Sequence, residues 1–439
     1  MNGNSPVFVS GPCAGVAGEI RVPGDKSISH RALMLGAIAD GRTEASGFLD
    51  SADCRATLGA CVAMGVKVDR PAPDRLIIHG AGMHGLKAPG AALDLGNSGT
   101  AMRLLAGLLC AQDFDSVLVG DSSLSRRPME RIAAPLRRMG ADIRTNGGRP
   151  PLAISGRRSL RGCAHELEVP SAQVKSAILL AGLYAKGRTS VTEPVPTRDH
   201  TERMLQALGV AVSRDDATVS LAGPVALSGT TIVVPGDFSS AAFFIVAGVV
   251  AGRGPLLIRG IGVNPTRTGL LDILGLMGAD IRLLNPRECG REPVADLQVM
   301  PGALRGINVP HELVASTIDE FPVLFAAAAL ADGETLVRGA AELRVKESDR
   351  IAVMADGLRA LGVQVETLPD GLRIQGGPVG GGIVESRGDH RVAMAFAVLA
   401  ARAAEPVVIR DVRHVATSFP GFVATARLAG LELDEEARA

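Results

Sequence analysis

Six segments of the chain share one pattern of polar and apolar residues. Each places Ser, Asp, Asn or Gly just before a run of small apolar residues, and the six cover residues 24–35, 96–107, 171–182, 236–248, 318–330 and 388–399. A polar residue that caps free backbone N–H groups, followed by an apolar run, is typical of the start of a buried helix. The pattern therefore predicts six buried helices.

A second segment follows each run and ends in a form similar to Leu-x-x-x-Gly-Ala/Val-x-Val/Ile. Its glycines are Gly65, Gly140, Gly209, Gly278, Gly362 and, more weakly, Gly430. Their spacings of 68 to 84 residues exceed the repeat of a solenoid and suit a small unit that contains a βαβ motif. Each glycine is predicted to end a second helix, with two alternating strands after it. The chain is thus predicted to be six copies of one β-α-β-α-β-β unit.

Six units divide naturally into two domains of three. A chain of 439 residues that is 46% hydrophobic exceeds what a single core usually serves. The first domain is predicted to span residues 24–235, and the second residues 1–23 and 236–439. The chain should cross between the domains near Pro23-Gly24 and near 234–236, and the strand at 18–22 is assigned to the second domain.

Composition excludes several classes of partner. The chain has 46 basic and 46 acidic residues, one Tyr and no Trp, so it lacks the basic face and stacking aromatics of a nucleic-acid binder. The longest apolar runs, such as 241–251, are about half the length that spans a bilayer. Residues 1–17 lack the features of a secretory signal, and the six scattered cysteines lack zinc-site spacing. We expect a cytoplasmic protein with reduced thiols, no metal, and no nucleic-acid or membrane partner.

Cationic side chains stand at several predicted helix starts. Free N–H groups and the macrodipole already make such ends attractive to anions. Lys26 and Arg31 flank a Ser-rich start, Arg103 follows the Gly96 to Thr100 turn, and Arg127 stands directly before Pro128, which is predicted to be the first residue of the next helix. Only six lysines occur against forty arginines, yet Lys26, Lys175 and Lys346 all fall within the motifs. These features favour a polyanionic small-molecule ligand.

Acidic side chains accompany the cations in the second half. Asp319 and Glu320 begin one apolar run, residues 346–350 read Lys-Glu-Ser-Asp-Arg, and residues 389–391 read Asp-His-Arg. Acids at helix starts that face Lys and Arg from other helices form a plausible proton-transfer pair in an anion-binding cleft.

The combination resembles the 5-enolpyruvylshikimate-3-phosphate synthase family in its bacterial form. The resemblance is carried, in order along nearly the whole chain, by residues 24–31, 96–103, 127–128, 171–175, 198–200, 317–320, 344–350, 389–391 and 417–420. It implies an α/β fold of two domains, an inside-out α/β barrel of six βαβαββ repeats in two pseudo-threefold domains, joined by a hinge, with the active site in the cleft between them. It also implies transfer of the enolpyruvyl group of phosphoenolpyruvate to shikimate 3-phosphate, without metal or cofactor, by a monomer of the shikimate pathway.

Residue roles follow from the resemblance, motif by motif. The residues implied to bind shikimate 3-phosphate are Lys26, Ser27, Arg31, Ser171, Ala172, Gln173, Arg198, Asp319 and Lys346. Those implied to bind phosphoenolpyruvate are Lys26, Asn97, Gly99, Arg127, Arg350 and Arg391. Asp319, Glu347 and Lys26 are the implied catalytic residues, because the enol carbon must gain a proton while the acceptor hydroxyl loses one.

One departure from the family pattern and two alternatives stay open. Thr417 stands where many members have a Lys, and this removes one cation from the expected phosphoenolpyruvate site. Gly99 is the small residue associated with glyphosate sensitivity, although SAQVKSA resembles the insensitive branch, so we expect moderate inhibition. The alternatives are a related transferase that acts on UDP-N-acetylglucosamine, whose mobile-loop Cys is missing from 122–128, and a non-catalytic anion-binding protein, against which Asp319 and Glu347 argue.

Overall fold

The computed structural model describes residues 6–156 and 159–436. Its α-helices are α1 (Lys26–Ile38), α2 (Ala52–Ala63), α3 (Gly99–Leu109), α4 (Glu130–Arg138), α5 (Ala172–Gly182), α6 (His200–Ala207), α7 (Phe238–Val250), α8 (Gly269–Leu276), α9 (Val314–Thr317), α10 (Phe321–Ala329), α11 (Arg350–Ala360), α12 (His390–Ala400) and α13 (Phe422–Ala429). Short 3-10 turns lie at Leu124–Arg126, His311–Leu313, Ala341–Val345 and Val415–Thr417. None of the helices in the described ranges is long and apolar enough to cross a membrane.

The strands alternate with the helices along the chain. They are β1 (Val7–Gly11), β2 (Val16–Ile20), β3 (Arg42–Ser46), β4 (Lys67–Ala72), β5 (Arg75–His79), β6 (Leu93–Asp94), β7 (Ser116–Val119), β8 (Asp142–Asn146), β9 (Arg149–Ser155), β10 (Ala164–Glu166), β11 (Gly187–Thr192), β12 (Val212–Asp215), β13 (Thr218–Gly223), β14 (Thr231–Val233), β15 (Gly252–Gly262), β16 (Ile281–Cys289), β17 (Glu292–Val299), β18 (Glu334–Leu336), β19 (Gln364–Leu368), β20 (Gly371–Gln375), β21 (Gly382–Glu385), β22 (Val407–Arg410) and β23 (Glu432–Glu436).

Each sheet repeats one topology, which confirms the predicted unit. In the order β6-β7-β9-β8, for example, β6 and β7 are parallel and the later pairs are antiparallel. The same arrangement is found in four other sheets, with the orders β10-β11-β13-β12, β14-β3-β5-β4, β21-β22-β1-β23 and, read from the parallel pair, β2-β15-β17-β16. In the sixth sheet, β18-β20-β19, the strand that would pair in parallel with β18 is reduced to isolated bridges such as the one between Asn308 and Leu336. Three of the described sheets contain a strand from a distant part of the chain, because β14 joins β3, β2 joins β15 and β1 joins β22.

The six repeat glycines all have left-handed backbone conformations. Their φ angles lie between 84° and 102°, a region that residues with a Cβ rarely enter. Each follows the second helix of its unit, as at Gly209 after α6, where the backbone N–H bonds to Gln206 O. The predicted helix ends are confirmed.

The six buried helices of the pattern are α1, α3, α5, α7, α10 and α12. Five have a side-chain N-cap, from Asp25, Ser98, Ser171, Asp237 and Asp389. The exception is α10, where Glu320 occupies the cap position without a side-chain cap bond. The prediction is confirmed for the helices and for five of their caps.

Pro128 does not begin the following helix, so that prediction is wrong. α4 starts at Glu130, with Met129 at its N-cap. The reason lies in the backbone, since Met129 has a φ of −120° and a ψ of −9°, outside the helical range. Its N–H bonds to Gly148 O over 2.7 Å. Arg127 is extended, with φ −76° and ψ 143°, as expected for a residue before proline.

The chain divides into two compact units. The N-terminal unit comprises Gly24–Val234 with Glu288–Glu292, and the C-terminal unit comprises the chain up to Pro23, Pro235–Arg287 and the chain from Pro293 onward. Each has its own core. In the N-terminal unit Leu104, Leu105 and Ile178 of the packed pair α3 and α5 are fully buried. In the C-terminal unit Phe244, Phe325 and Phe396 from α7, α10 and α12 are fully buried.

Candidate active site

Lys26 is the first residue of α1, directly after its Asp25 cap. Its Nζ lies 3.0 Å from Oδ2 of Asp53, in the first turn of α2. The Lys26 side chain is only partly exposed. Its ammonium group lies at the N-terminal end of a buried helix and is held there by the Asp53 carboxylate. This places a directed positive charge where the helix itself favours anions.

Arg31 lies one turn further along α1 and is buried within the N-terminal unit. Its Nε donates to Thr201 Oγ1 over 2.7 Å, and its Nη2 donates to Ser176 Oγ over 2.8 Å. Nη1 donates to the Ser27 carbonyl over 3.0 Å. Burial lowers the pKa of Arg31 to about 10, against the opposing effect of the Glu202 carboxylate. The guanidinium is therefore charged at neutral pH and joins Ser27 on α1 to α5 and α6.

A second group of candidate residues forms where α3 and α5 begin. Arg127 Nη2 donates to Asn97 Oδ1 over 2.6 Å, and Arg103 Nη1 donates to Gln173 Oε1 over 2.5 Å. A Cβ atom added to Gly99 would lie 3.0 Å from Nη1 of Arg127 and 3.2 Å from Nη1 of Arg103. Glycine thus allows two guanidinium groups to approach the start of α3 closely.

The start of α5 carries three of the predicted residues. Ser171 caps the helix by accepting from the Val174 N–H, and Ala172 is its first residue. Gln173 donates from Nε2 to Thr100 Oγ1 over 2.9 Å, which ties it to α3. Arg198 lies just before α6 and is half-buried. The N-terminal unit therefore brings together the starts of α3 and α5, and Arg31 links Ser27 to α5.

The remaining predicted residues meet around one side chain of the C-terminal unit, Arg350, the first residue of α11. It is 1% exposed. Its Nε lies 2.8 Å from Asp389 Oδ2, its Nη2 lies 2.6 Å from Glu347 Oε2, and its Nη1 lies 3.5 Å from Asp319 Oδ1. Burial disfavours the charged guanidinium, but the three carboxylates outweigh this effect and raise the pKa of Arg350.

Lys346 completes this group. Its Nζ lies 3.4 Å from Oδ1 of Asp319, the same oxygen that faces Arg350. Asp319 thus has two cations within reach, while Glu347 contacts one of them. Both candidate proton-transfer carboxylates lie within one cluster of charges, as the motifs indicated.

Arg391 is held near Asp319 by the backbone as well as by side chains. Its Nη1 donates to the Asp319 carbonyl over 2.9 Å, and its Nη2 donates to Ser239 Oγ over 3.1 Å. Ser239 in turn donates to the buried Glu320 carboxylate and accepts from Arg267 Nη2 over 2.6 Å. Arg391 is therefore fixed by a network that begins on α7 and α10.

Several supporting residues were given no binding role from the sequence, although Arg103 was named among the cations at the predicted helix starts. Asp53 pairs with Lys26, Arg103 holds Gln173, and Ser239 and Arg267 support Arg391. Arg103 and Ser239 fall within the repeated helix-start segments, which was a usable signal. Asp53 and Arg267 lie outside those segments, and only the folding of the chain brings them to their partners.

Thr417 uses its hydroxyl locally. Its Oγ1 donates to the His414 carbonyl over 2.6 Å inside a 3-10 turn. It supplies no positive charge, so the cations described in the C-terminal unit near Asp319 are Lys346, Arg350 and Arg391.

Comparisons with known proteins show which family the chain is similar to. A family model described as EPSP synthase (3-phosphoshikimate 1-carboxyvinyltransferase) matches residues 12–425. The 3-phosphoshikimate 1-carboxyvinyltransferase of Methylococcus capsulatus is 56% identical over 99% of this chain and 100% of its own length. The enzyme of the same name from Alkalilimnicola ehrlichii is 58% identical over 98% of this chain and 97% of its own.

A solved structure extends the likeness to the fold. EPSP synthase from Acinetobacter baumannii superposes with a TM-score of 0.88 at 51% identity and covers 98% of this chain and 100% of its own. The predicted fold class, the two-domain enolpyruvyl transferase fold, is thereby confirmed. The chain belongs to the EPSP synthase (3-phosphoshikimate 1-carboxyvinyltransferase) family.

Proposed function

We propose that this protein transfers the enolpyruvyl group of phosphoenolpyruvate to the 5-hydroxyl of shikimate 3-phosphate, releasing phosphate. The observation that carries the proposal is the cluster around Arg350, in which three carboxylates meet three cations on the α10, α11 and α12 segments. A cluster of this kind can bind an anion and exchange protons with it.

The reaction requires two proton transfers in each of its two steps. The 5-hydroxyl oxygen forms a bond to C2 of phosphoenolpyruvate and loses its proton, while C3 gains one. The tetrahedral product then loses phosphate by C–O cleavage, the departing phosphate takes up a proton, and C3 releases one. Asp319 and Glu347 are proposed to exchange these protons, and Lys26 is proposed to share this role at the hydroxyl while binding phosphate. Positioned acids and bases typically contribute about 10²- to 10⁴-fold.

The proposed binding roles are those that the resemblance to the family implies, and the charges of the Lys and Arg side chains support them. Residues proposed to hold shikimate 3-phosphate are Lys26, Ser27, Arg31, Ser171, Ala172, Gln173, Arg198, Asp319 and Lys346. Those proposed to hold phosphoenolpyruvate are Lys26, Asn97, Gly99, Arg127, Arg350 and Arg391. Planar guanidinium groups suit this task, because they bind carboxylate and phosphate through two parallel hydrogen bonds. Arg31 already uses three of its donors inside the protein, so its proposed contribution is mainly through charge and through the position of Ser27.

Monomeric state and cytoplasmic location remain predictions from the sequence. Sedimentation of the purified protein tests the first, and fractionation of the source cells tests the second.

The experiment that tests the function measures phosphate release from phosphoenolpyruvate. One reaction contains shikimate 3-phosphate, and a parallel one contains UDP-N-acetylglucosamine. Release only with shikimate 3-phosphate is the expected result. Release only with the nucleotide sugar would assign a different acceptor, and no release by folded protein in either reaction would favour a binding protein that lacks catalysis.

A further inference from the structure

Lys175 is a buried motif residue without a role in the proposed reaction. It lies in α5 and is 0% exposed. Its Nζ donates to Glu193 Oε2 over 2.8 Å and to the Thr197 carbonyl over 3.1 Å. Glu202 Oε1 lies 2.8 Å from the same Nζ atom. An ammonium group has three N–H donors, and here three acceptors surround it.

Thr197 is bonded both to Lys175 and to Glu193. The Thr197 carbonyl accepts from Lys175, its N–H donates to Glu193 Oε2 over 3.4 Å, and its hydroxyl donates to Glu193 Oε1. Every polar group of this residue is therefore held by the pair formed by Lys175 and Glu193. The next residue in the chain is Arg198, so the backbone that carries Arg198 is fixed at its preceding peptide.

The neighbouring residue of α5 holds the other side of the same segment. Ser176 Oγ accepts from Thr201 Oγ1 over 2.7 Å and from Arg31 Nη2 over 2.8 Å. Arg198 thus lies between Thr197 and Thr201, and both of these residues are bonded to α5. The segment from Glu193 to Glu202 is anchored to α5 at both ends of the stretch that contains Arg198.

Burial of an ammonium group is costly, and a buried ion pair is weak evidence for a gain in stability. An apolar side chain could fill the same space without the cost of desolvation, but it would not bind the Thr197 carbonyl or the two carboxylates. The arrangement is better explained by the geometry that it imposes, because a binding group works best when its supporting contacts hold it in place.

We propose that Lys175 is a positioning residue for recognition of the 3-phosphate group of the acceptor substrate. It holds Thr197, Glu193 and Glu202 so that the Arg198 guanidinium is aligned with the phosphate before binding. This inference rests on the proposed function, since it assumes that Arg198 binds shikimate 3-phosphate.

The test compares two ligands that differ only in the phosphate group. Calorimetry measures the affinity of the full-length protein for shikimate 3-phosphate and for shikimate. Lys175→Met removes the three donors at similar side-chain size, and Lys186→Met is the matched control, an exposed lysine of the same unit. In Lys175→Met the affinity for shikimate 3-phosphate should fall about 10- to 100-fold, the scale expected from misplacing a binding group. The affinity for shikimate should change little, and Lys186→Met should match the unaltered protein for both ligands.

A milder variant covers the case in which Lys175→Met does not fold. Thr197→Val removes the hydroxyl bond to Glu193 and keeps the side-chain size. It should lower the ratio of the affinity for shikimate 3-phosphate to the affinity for shikimate, by a smaller factor than Lys175→Met does. A double-mutant cycle adds a second test, because residues that act through one another are not additive. In an Arg198→Gln background, the second substitution, at Lys175 or Thr197, should hardly change the ratio.

Three results would overturn the assignment. These are equal losses of affinity for both ligands, additive effects with Arg198→Gln, and an unchanged ratio in folded variants. If the unaltered protein and Lys186→Met bound no shikimate 3-phosphate, the proposed function itself would fail, and the role of Lys175 with it. If those two proteins bound it normally while the ratio in the test variants stayed unchanged, only the role of Lys175 would fail.

Discussion

Nη2 of Arg350 lies 2.6 Å from Oε2 of Glu347, so a proposed binding group for phosphoenolpyruvate and a proposed proton-transfer group contact each other directly. The two residues are three positions apart at the start of α11. Arg350 is buried, whereas the Glu347 side chain is 21% exposed. Glu347 is therefore the more accessible of the two side chains, and its contact with Arg350 holds its carboxylate in place.

Glu347→Gln should retain substrate binding and reduce kcat by about 100-fold or more. The amide oxygen can still accept from Arg350, but the side chain no longer exchanges a proton. Steady-state kinetics together with calorimetry of shikimate 3-phosphate check the prediction. The control is Glu385→Gln, which removes the charge from an exposed ion pair with Arg410 and should leave kcat unchanged. Near-normal turnover by Glu347→Gln would remove Glu347 from the proton-transfer role.

Arg350→Met should lower the free energy of unfolding by about 3–5 kcal/mol. The substitution leaves the buried Asp389 carboxylate without its guanidinium partner, and removing one member of a buried pair costs this much. Denaturant unfolding measures the change. The control is Arg387→Met, since Arg387 forms an exposed pair with Asp356 and such pairs contribute about 0–1 kcal/mol. Equal losses in the two variants would show that the carboxylates around Arg350 do not depend on it.

Gly99→Ala should raise the KM for phosphoenolpyruvate several-fold and weaken inhibition by glyphosate. The new methyl group would lie 3.0 Å from Nη1 of Arg127, so this guanidinium, which bonds to Asn97 through Nη2, must move by a few tenths of an ångström. Gly59→Ala is the matched control, because no atom lies within 4 Å of the added Cβ on α2. Gly59→Ala should leave the KM for phosphoenolpyruvate and the inhibition constant for glyphosate unchanged. It should stabilise α2 by up to about 1 kcal/mol.

The unaltered protein, which has glycine at this position, should show moderate inhibition by glyphosate. An inhibition constant far above the KM for phosphoenolpyruvate would contradict that expectation. If Gly99→Ala left both the KM and the inhibition unchanged, the close approach of Arg127 to the helix start would have no bearing on binding.

The stability of the protein should decrease as the pH falls through about 6.5, in part because of His30. This value is the usual pKa of a histidine side chain in an unfolded chain. Burial, with the charges of Lys26 and Arg31, lowers the pKa of His30 to about 3. The folded state therefore keeps this histidine neutral, while the unfolded state binds a proton below its own higher pKa. The unfolded state gains protons as the pH falls, and the slope for one group reaches about 1.4 kcal/mol per pH unit.

Denaturant unfolding at pH 7.0 and pH 5.5 measures this effect. His30→Asn can still bond to Thr57, whose Oγ1 lies 2.7 Å from the imidazole, but it does not titrate. The loss of stability between the two pH values should be smaller in the variant by about 1 kcal/mol. An identical pH dependence in both proteins would show that His30 does not contribute.

The repeat was predictable because it is written in local patterns. Gly140, Gly209 and Gly362 end their helices at positive φ, and only a residue without a Cβ adopts this conformation easily. The start of α4 was not predictable in the same way. Met129 has a non-helical φ of −120° and bonds to Gly148, and no local pattern reveals a partner nineteen residues away in the chain.

In the candidate site, too, some residues were predictable from local patterns and others were not. Its charged residues at helix starts, such as Lys26, Arg350 and Arg391, were visible because caps and apolar runs mark those positions. Their supporting partners were less visible. Asp53 and Arg267 carry no motif of their own, and they matter only because the fold places them beside Lys26 and Ser239.

The amino-acid sequence by itself determined the six-fold repeat, the caps of five of its buried helices and the charged residues at the helix starts, because helix signals act within a few positions of one another. The tertiary structure alone decided that Asp319, Glu347 and Asp389 share Arg350, and that Lys175 holds the peptide before Arg198. Except for the pair of Glu347 and Arg350, these contacts join residues that are far apart in the chain. A buried charge selects its partners only when folding has removed water from around it.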